Sequence, residues 1–194
     1  MKKRWDLQVP ETELLQKELK RELYKRRFRR ILRSSFNALI VVAAIAALIA
    51  TLLLPVLQIA GTSMEPSLKD GNIVVLAKTD RINNGDLCAF YYSNKILIKR
   101  VIGIPGDYIW INNEGSVFVN NLELEEPYIS EKALGECDIE FPYQVPENHY
   151  FMMGDHRKTS IDSRSSVIGC IAEDQIIGKI LFRVWPLEDF QWMG

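Results

Sequence analysis

Ser63 belongs to the stretch QIAGTSMEPSLKDGNIVV, which begins at Gln58 directly after a long apolar run. Gly61 gives the backbone steric freedom and Pro66 removes a backbone donor, so this turn can present a hydroxyl and a free N–H together. A serine hydroxyl becomes a nucleophile only when a base lies within hydrogen-bond reach. The sequence offers two kinds of base, His156 or a lysine that is kept neutral.

Lys99 is the better placed lysine, because the segment KILIKRVIGI alternates in the manner of a strand. One face of this strand carries Ile96, Ile98 and Arg100, and the other carries Leu97, Lys99 and Val101. Apolar neighbours lower the pKa of a lysine from about 10.4 towards neutrality, as a general base requires. The alternative is a solvated strand edge, in which the Lys-Arg pair has no chemical role.

Two parts of the chain differ in charge. The 194 residues are 47% hydrophobic and 25% charged, which is typical of a folded protein. The net charge is −1, but residues 1–33 hold twelve Lys/Arg against five Asp/Glu, and residues 34–194 hold twelve against twenty. This division indicates that the two parts face different surroundings.

An uncharged apolar run occupies residues 38–57 and is long enough to cross a bilayer. We therefore predict a transmembrane signal-anchor helix over residues 36–57. A buried core helix would have to be apolar on every face, and a cleavable export signal has a shorter apolar stretch of about 7–15 residues. An uncleaved anchor fits better, because the run is long and follows a charged segment.

The basic cluster KRRFRRILR at residues 25–33 predicts a cytoplasmic amino terminus, which leaves residues 58–194 outside the membrane. Within residues 1–35, Leu15, Leu19 and Leu23 recur every four residues. This spacing indicates a basic amphipathic helix at the anionic inner leaflet. A solvated helix without lipid contact is the alternative.

Residues 58–194 consist of short β-rich segments separated by turn residues. We expect strands within residues 72–78, 86–92, 95–104, 108–112, 116–120, 149–155, 166–172 and 179–186. This pattern predicts a mostly β domain with antiparallel, barrel-like sheets. The least periodic part, residues 121–146, is expected to form a small insertion or long loop.

The cysteines and histidines indicate no further chemistry. Cys88 and Cys170 lie in apolar strand patterns and are expected to be buried small hydrophobes, whereas Cys137 lies in a polar loop and either pairs or stays free. His149 and His156 form an H-x6-H pair without a recognised ligand geometry. We therefore expect no metal site at these residues.

Four blocks together resemble the bacterial type I signal peptidases, in particular the shorter Gram-positive type. They are TSMEPSL at residues 62–68, DGNIVVLAK at 70–78, KRVIGIPGD at 99–107 and MMGDHRKTSIDSR at 152–164. Their order behind a single amino-terminal anchor is that of the family. The resemblance implies a serine endopeptidase that removes signal peptides from exported preproteins at the outer face of the bacterial cytoplasmic membrane, without a cofactor.

The resemblance also implies roles for five residues. Ser63 matches the nucleophile and Lys99 the general base, so the two would form a Ser-Lys dyad. Ser160 matches a serine that orients the lysine ammonium, and Asp162 and Arg164 match a supporting ion pair.

The family recognises small side chains, typically Ala, at the first and third residues before the cut, and binds them as an extended strand. Residues that flank the dyad are the candidates for the shallow apolar pockets: Ile59, Met64, Leu68 and Ile98. The alternative role for all four is core packing.

The sequence departs from the family pattern at three positions. Gly61 stands where some members have a serine whose hydroxyl is the second oxyanion donor, so that donor is undetermined here. His156 replaces the usual Asn, and Ser67 replaces the more frequent Thr. Neither of these two changes touches the dyad.

The partners implied are the signal peptides of secretory preproteins and a phospholipid membrane. We expect a monomer that does not bind nucleic acid. Two rival hypotheses are a self-cleaving Ser-Lys protein of the SOS-repressor kind and an anchored β domain that only binds exported partners. A Ser-His enzyme that uses His156 is a mechanistic variant.

Overall fold

The first element of the chain is a long helix, α1 (Thr12–Leu53). The structure is a computed structural model that describes residues 12–79 and 81–194. The chain divides into two units between Thr51 and Leu52. The predicted basic segment is helical from Thr12 onward, and its first eleven residues lie outside the described residues. Leu15, Leu19 and Leu23 are exposed on this helix.

Part of α1, Leu15–Leu48, is long and apolar enough to cross a membrane. The helix ends at Leu53, because Pro55 lacks a backbone N–H and disfavours helical geometry in the residue before it. The predicted span over residues 36–57 was therefore too long at its carboxyl end. Val56 and Leu57 belong to the first strand instead.

The described residues of the second unit form twelve strands and two short 3-10 helices. The strands are β1 (Val56–Gln58), β2 (Ile73–Ala77), β3 (Leu87–Tyr92), β4 (Lys95–Gly103), β5 (Tyr108–Ile111), β6 (Val117–Val119), β7 (Leu122–Glu123), β8 (Tyr143–Gln144), β9 (His149–Met153), β10 (Ile171–Ala172), β11 (Ile176–Trp185) and β12 (Gln191–Trp192). The 3-10 helices are Glu173–Gln175 and Leu187–Asp189.

Two antiparallel sheets make up this unit, so the prediction of a mostly antiparallel β domain is confirmed. The larger sheet has the order β1-β2-β11-β3-β4-β9-β10, with β12 paired to β11. The smaller sheet has the order β7-β6-β5-β8. β11 is the long central strand, since its first part pairs with β3 and its later part with β2.

Seven of the eight predicted strand segments contain a strand over most of their length. The eighth, residues 166–172, was mostly wrong, because only Ile171 and Ala172 are extended. The N–H groups of Ile168 and Gly169 donate to the Ser165 carbonyl, which closes a turn there. Between β7 and β8 the chain has no helix or strand among its described residues, and these two short strands lie at the ends of the predicted insertion at residues 121–146.

Three apolar clusters form the core of the second unit. The first joins β1, β2, β3 and β11 to the segment that carries Ser63, and includes Met64 and Leu68. The second lies around Phe90, Val101 and Met152. The third joins the small sheet to β9 and is partly covered by the insertion. Side chains of β4 enter more than one cluster, so this strand is held on both faces.

Candidate active site

Ser63 lies in the connection between β1 and β2, and backbone hydrogen bonds close this connection at its base. The Ile59 N–H donates to the Asn72 carbonyl at 2.8 Å, and the Gly71 N–H donates to the Ile59 carbonyl at 3.0 Å. Gly61 has a φ of +93°, a conformation that favours glycine, and its N–H donates to Asp70 Oδ1 at 2.8 Å. The turn is therefore fixed on both sides of Thr62 and Ser63.

Buried side chains hold the same segment against the core. Met64 is 2% exposed and Leu68 is fully buried, and both pack in the first apolar cluster. The Leu68 N–H donates to the Met64 carbonyl at 2.9 Å, which gives one helical turn after the serine. This packing leaves the Ser63 side chain at the surface of the core, half-buried.

Lys99 lies in the middle of β4, opposite Cys88 of β3, and is 4% exposed. Its ammonium nitrogen Nζ donates to Ser63 Oγ at 2.9 Å. The structure therefore joins the two residues that the sequence singled out, although they are 36 positions apart in the chain.

Burial lowers the pKa of Lys99 from its ordinary value to about 8, since the charged ammonium loses its hydration. The negative charges of Asp162 and Asp155 act in the opposite direction and raise this pKa, while Arg164 lowers it. Loss of hydration is the largest of these effects. The site therefore holds a primary amine that is neutral in a substantial fraction near pH 8, in direct contact with a serine hydroxyl.

The loop after β9 lies close to the dyad, as the effect of its charges on Lys99 indicates. Asp162 and Arg164 are both fully buried and form the predicted ion pair, with Nε to Oδ1 and Nη2 to Oδ2 both at 2.8 Å. The Gly154 N–H also donates to Asp162, at 2.9 Å. Arg164 in addition donates to the Leu134 carbonyl in the insertion, so the pair ties two loops together.

Ser160 is 1% exposed, and its hydroxyl has no hydrogen-bond partner among residues 12–79 and 81–194. Ser160 Oγ thus accepts no hydrogen bond from the Lys99 ammonium, which the resemblance implies that it orients. A Cβ built on Gly154 would lie 2.6 Å from both Ser160 Cβ and the Ser63 carbonyl oxygen. Glycine at 154 therefore lets Ser160 pack under the serine segment.

His156 is the other base considered from the sequence, and its ring does not contact the serine hydroxyl. The backbone N–H of His156 donates to the Ser63 carbonyl at 3.1 Å. Its Nδ1 lies 2.8 Å from the Thr159 hydroxyl.

Two further ion pairs support the site, and the sequence did not indicate either of them. Arg100 is bidentate with Asp155, at 2.8 and 2.6 Å, and its guanidinium lies 3.9 Å from the centre of the Tyr128 ring. Arg157 is bidentate with Glu126 in the insertion. Glu126 and Tyr128 are distant in sequence from the arginines, so no local pattern indicates these contacts.

A cavity of about 200 Å³ lies beside the dyad, and both Ser63 and Lys99 line it. Three of the four residues proposed for apolar pockets line it too: Ile59, Met64 and Ile98. Leu68 does not line this cavity, because its side chain is turned into the core.

The three cysteines are free. Burial raises the pKa of Cys88 to about 12 and that of Cys170 to about 11, so both thiols stay protonated near neutral pH. Cys88 is fully buried, as expected, whereas Cys170 is half-buried at the third cluster. Among the described residues no group of His, Cys, Asp or Glu has the arrangement of a metal site.

Comparisons with known proteins identify the family. The model of the family described as signal peptidase, peptidase S26, matches residues 32–185. Signal peptidase IB of Staphylococcus aureus (strain MRSA252) is 34% identical over 154 residues, which cover 69% of this chain and 79% of that protein. Signal peptidase I of Bacillus licheniformis is 33% identical over 168 residues, which cover 80% of this chain and 89% of that protein.

One solved structure is also similar, a signal peptidase I from Enterococcus faecalis V583. It is 24% identical, with a TM-score of 0.43, and the match covers 53% of this chain and 98% of that one. The family match extends over most of the chain and includes Ser63, Lys99 and the loop after β9. The chain therefore belongs to the bacterial type I signal peptidases of the peptidase S26 family.

Proposed function

We propose that this chain is a membrane-anchored endopeptidase in which Ser63 forms an acyl-enzyme and Lys99 is the general base. Family membership gives the general activity, since the chain is a serine peptidase that removes signal peptides. The proposal adds the identity of the reacting groups, the side of the membrane and the residues that bind the substrate.

One observation carries the proposal: Lys99 Nζ lies 2.9 Å from Ser63 Oγ in a setting that favours the neutral amine. A serine hydroxyl needs a base within about 2.6–3.2 Å, and the distance falls in that range. Among the described residues no other basic side chain is hydrogen-bonded to Ser63 Oγ.

The reaction begins when neutral Lys99 accepts the proton of Ser63 as Oγ attacks the scissile carbonyl. The lysine then donates this proton to the leaving amine, and the acyl-enzyme forms. Water deprotonated by Lys99 attacks the ester carbonyl, and Ser63 is released with its proton restored. The same nitrogen, Lys99 Nζ, transfers the proton in each step. It must therefore remain within hydrogen-bond reach of Ser63 Oγ and of the leaving amine.

The Ser63 N–H supports an oxyanion hole, since it makes no hydrogen bond to any other described residue. The Gly61 N–H is not available for this purpose, because Asp70 accepts its hydrogen bond. The second donor is therefore supplied by neither the side chain nor the amide of residue 61. Loss of one oxyanion donor typically costs about 10²–10³ in rate.

We assign supporting roles to Ser160, Asp162 and Arg164. The Asp162–Arg164 pair fixes the loop after β9, and its net neutrality limits how far Asp162 raises the pKa of Lys99. The unpartnered Ser160 hydroxyl is available to the lysine when the ammonium forms and turns away from Ser63. A buried hydroxyl without a partner is uncommon and supports a functional role.

Ile59, Met64 and Ile98 are proposed to bind the residues before the cut, in the cavity of about 200 Å³ that they share with the dyad. This volume suits small side chains such as Ala. Leu68 is left out of this assignment, because it is fully buried in the core.

The membrane side of the proposal rests on α1 and its flanking charges. Six Arg and Lys residues in Lys25–Arg33 precede the apolar run, and such residues stay on the cytoplasmic side. Ser63 follows Leu53, the last helical residue, by ten residues in the sequence. We propose a monomer with its amino terminus inside and its peptidase unit outside, acting on preproteins still held in the membrane by an apolar segment.

The test is cleavage of a model preprotein by the detergent-solubilised full chain, with sequencing of the new amino terminus. Wild type is expected to cut at one position after a small residue, and Ser63→Ala is expected to cut nothing. A cut by Ser63→Ala would exclude Ser63 as the nucleophile. A wild-type protein that binds the preprotein without cutting it would favour the anchored binding domain instead.

A further inference from the structure

A second cavity, of about 260 Å³, adjoins the segment that carries Ser63. It is lined by Glu65, Pro66 and Lys69 of that segment, by Ser130 and Glu131 of the insertion, and by residues 155–158. All of its lining residues except Pro66 are polar or charged, whereas most residues around the cavity beside the dyad, which we call the apolar cavity, are apolar. We call the second cavity the polar cavity.

The charged residues of the polar cavity fall into two groups. Asp155 and Arg157 are buried and have partners of their own, Arg100 and Glu126. Four other charged residues form no ion pair with any part of the chain that the structure describes: Glu65, Lys69, Glu131 and Lys158. Two positive and two negative side chains are thus available to a ligand.

Residues 61–69, which we call the nucleophile segment, line both the polar cavity and the apolar cavity. Gly61, Ser63 and Met64 line the apolar cavity, and the polar cavity begins at the next residue, Glu65. His156 lines the polar cavity, and its backbone N–H holds the Ser63 carbonyl. The two cavities are therefore lined by adjacent parts of one segment, and His156 links the polar cavity to Ser63 through a backbone hydrogen bond.

A peptide whose scissile carbonyl faces Ser63 Oγ must extend from that point in both directions. If the apolar cavity binds the residues before the cut, the chain beyond the cut must leave Ser63 on another side. The polar cavity begins two residues after the serine, at Glu65, and is thus within reach of that part of the substrate. The first residues of the released protein are the part of the substrate that reaches these charges.

We propose that the polar cavity binds the first two residues after the scissile bond and discriminates among them by charge, through the positive Lys69 and Lys158 and the negative Glu65 and Glu131. This inference rests on the proposed function, because it takes Ser63 as the point of attack. The polar cavity thus favours hydrated, charged side chains over bulky apolar ones after the cut.

The experiment compares two versions of one model preprotein, with either two Asp or two Lys residues directly after the cut. The quantity measured is the ratio of kcat/KM for the two substrates, which does not depend on how much of the enzyme is active. Lys158→Glu is expected to shift this ratio towards the Lys substrate by about three- to tenfold, and Glu131→Lys to shift it by a similar factor towards the Asp substrate. The change is expected mainly in KM.

Two variants are the matched controls: Lys78→Glu and Glu114→Lys change the net charge equally at exposed positions outside both cavities. They are expected to leave the ratio unchanged. Equal ratios for Lys158→Glu, Glu131→Lys and wild type would overturn the inference, and so would a shift of the same size in the controls.

Failure of the proposed function looks different in the same assay. Wild type would then cut neither substrate, or Ser63→Ala would cut both, and the inference would fall with it. Ser63-dependent cleavage with unchanged ratios would overturn the inference alone.

Discussion

His156 contacts Ser63 through its backbone and not through its ring. The His156 N–H donates to the Ser63 carbonyl at 3.1 Å, whereas Nδ1 of the ring lies 2.8 Å from the Thr159 hydroxyl. The amine of Lys99, by contrast, lies 2.9 Å from Ser63 Oγ. These contacts support the proposal of Lys99, rather than His156, as the base, a choice that the sequence left open.

Replacement of the two candidate bases is expected to have very different effects. Lys99→Ala is expected to lower kcat by at least about 10³-fold, since among the described residues it removes the only side-chain nitrogen that is hydrogen-bonded to Oγ. His156→Ala keeps its backbone N–H, so its loss in kcat is expected to stay within about tenfold. Steady-state kinetics on a model preprotein measure both. Equal losses in the two variants would count against Lys99 as the base.

The pH dependence of cleavage is expected to follow the protonation of the Lys99 amine. The neutral form of Lys99 is the reactive one, and burial lowers its pKa to about 8. Below this pH the neutral fraction falls tenfold per pH unit, so kcat/KM is expected to rise with pH and level off above about 8. The measurement is kcat/KM from pH 6 to pH 10 with a substrate that has no titrating group near the cut. A midpoint near 6.5 would indicate a histidine.

Local patterns were sufficient to predict the parts of the site that one strand or one turn determines. The alternation around Lys99 predicted its burial, and the turn residues between β-rich segments separated most of the strands correctly. A basic side chain inside an apolar strand is conspicuous, because burial of an unpaired charge is costly.

Contacts between distant segments could not be predicted in this way. Glu126 reaches Arg157 across 31 positions, and only the folded insertion brings them together. The segment 166–172 has the composition of a strand, but the tertiary structure closes a turn at Ser165 and leaves two extended residues. The absence of a bond between Ser160 and Lys99 is likewise a matter of side-chain placement that sequence spacing does not determine.

The buried lysine is expected to lower the stability of the fold. Its pKa is about 8 in the folded chain and 10.5 ordinarily, so the unfolded chain binds more protons between these values. The cost is fully present below pH 8, decreases as pH rises, and disappears above 10.5. At 1.36 kcal/mol per pKa unit it amounts to roughly 3 kcal/mol at pH 7.

Lys99→Met keeps most of the apolar stem and removes this cost, at the loss of one hydrogen bond. We therefore expect Lys99→Met to be inactive and about 1–3 kcal/mol more stable than wild type at pH 7. The difference is expected to shrink between pH 8 and pH 10.5. Denaturant unfolding of the detergent-solubilised chain at pH 7 and pH 9.5 measures it. A variant less stable than wild type at pH 7 would contradict the burial argument.

Ser160 and Ser163 form a matched pair of buried serines with different bonding. Ser163 Oγ accepts a hydrogen bond from the Met152 N–H at 2.9 Å, whereas Ser160 Oγ has no partner among the described residues. Ser163→Ala leaves a buried N–H unsatisfied and is expected to destabilise the fold by about 1–3 kcal/mol. Ser160→Ala breaks no bond and is expected to change stability by less than about 1 kcal/mol.

The loss of kcat is expected to rank the two variants in the opposite order, with the larger loss in Ser160→Ala. If the Ser160 hydroxyl accepts a hydrogen bond from the Lys99 ammonium during the reaction, Ser160→Ala lowers kcat by at least about tenfold while the protein stays folded. Ser163→Ala, measured where it is fully folded, is expected to keep most of its kcat, because its hydroxyl is already bonded to the backbone. Unfolding curves and kcat from the same preparations test both statements. A fully active Ser160→Ala would remove Ser160 from the mechanism and leave its buried hydroxyl as a packing group.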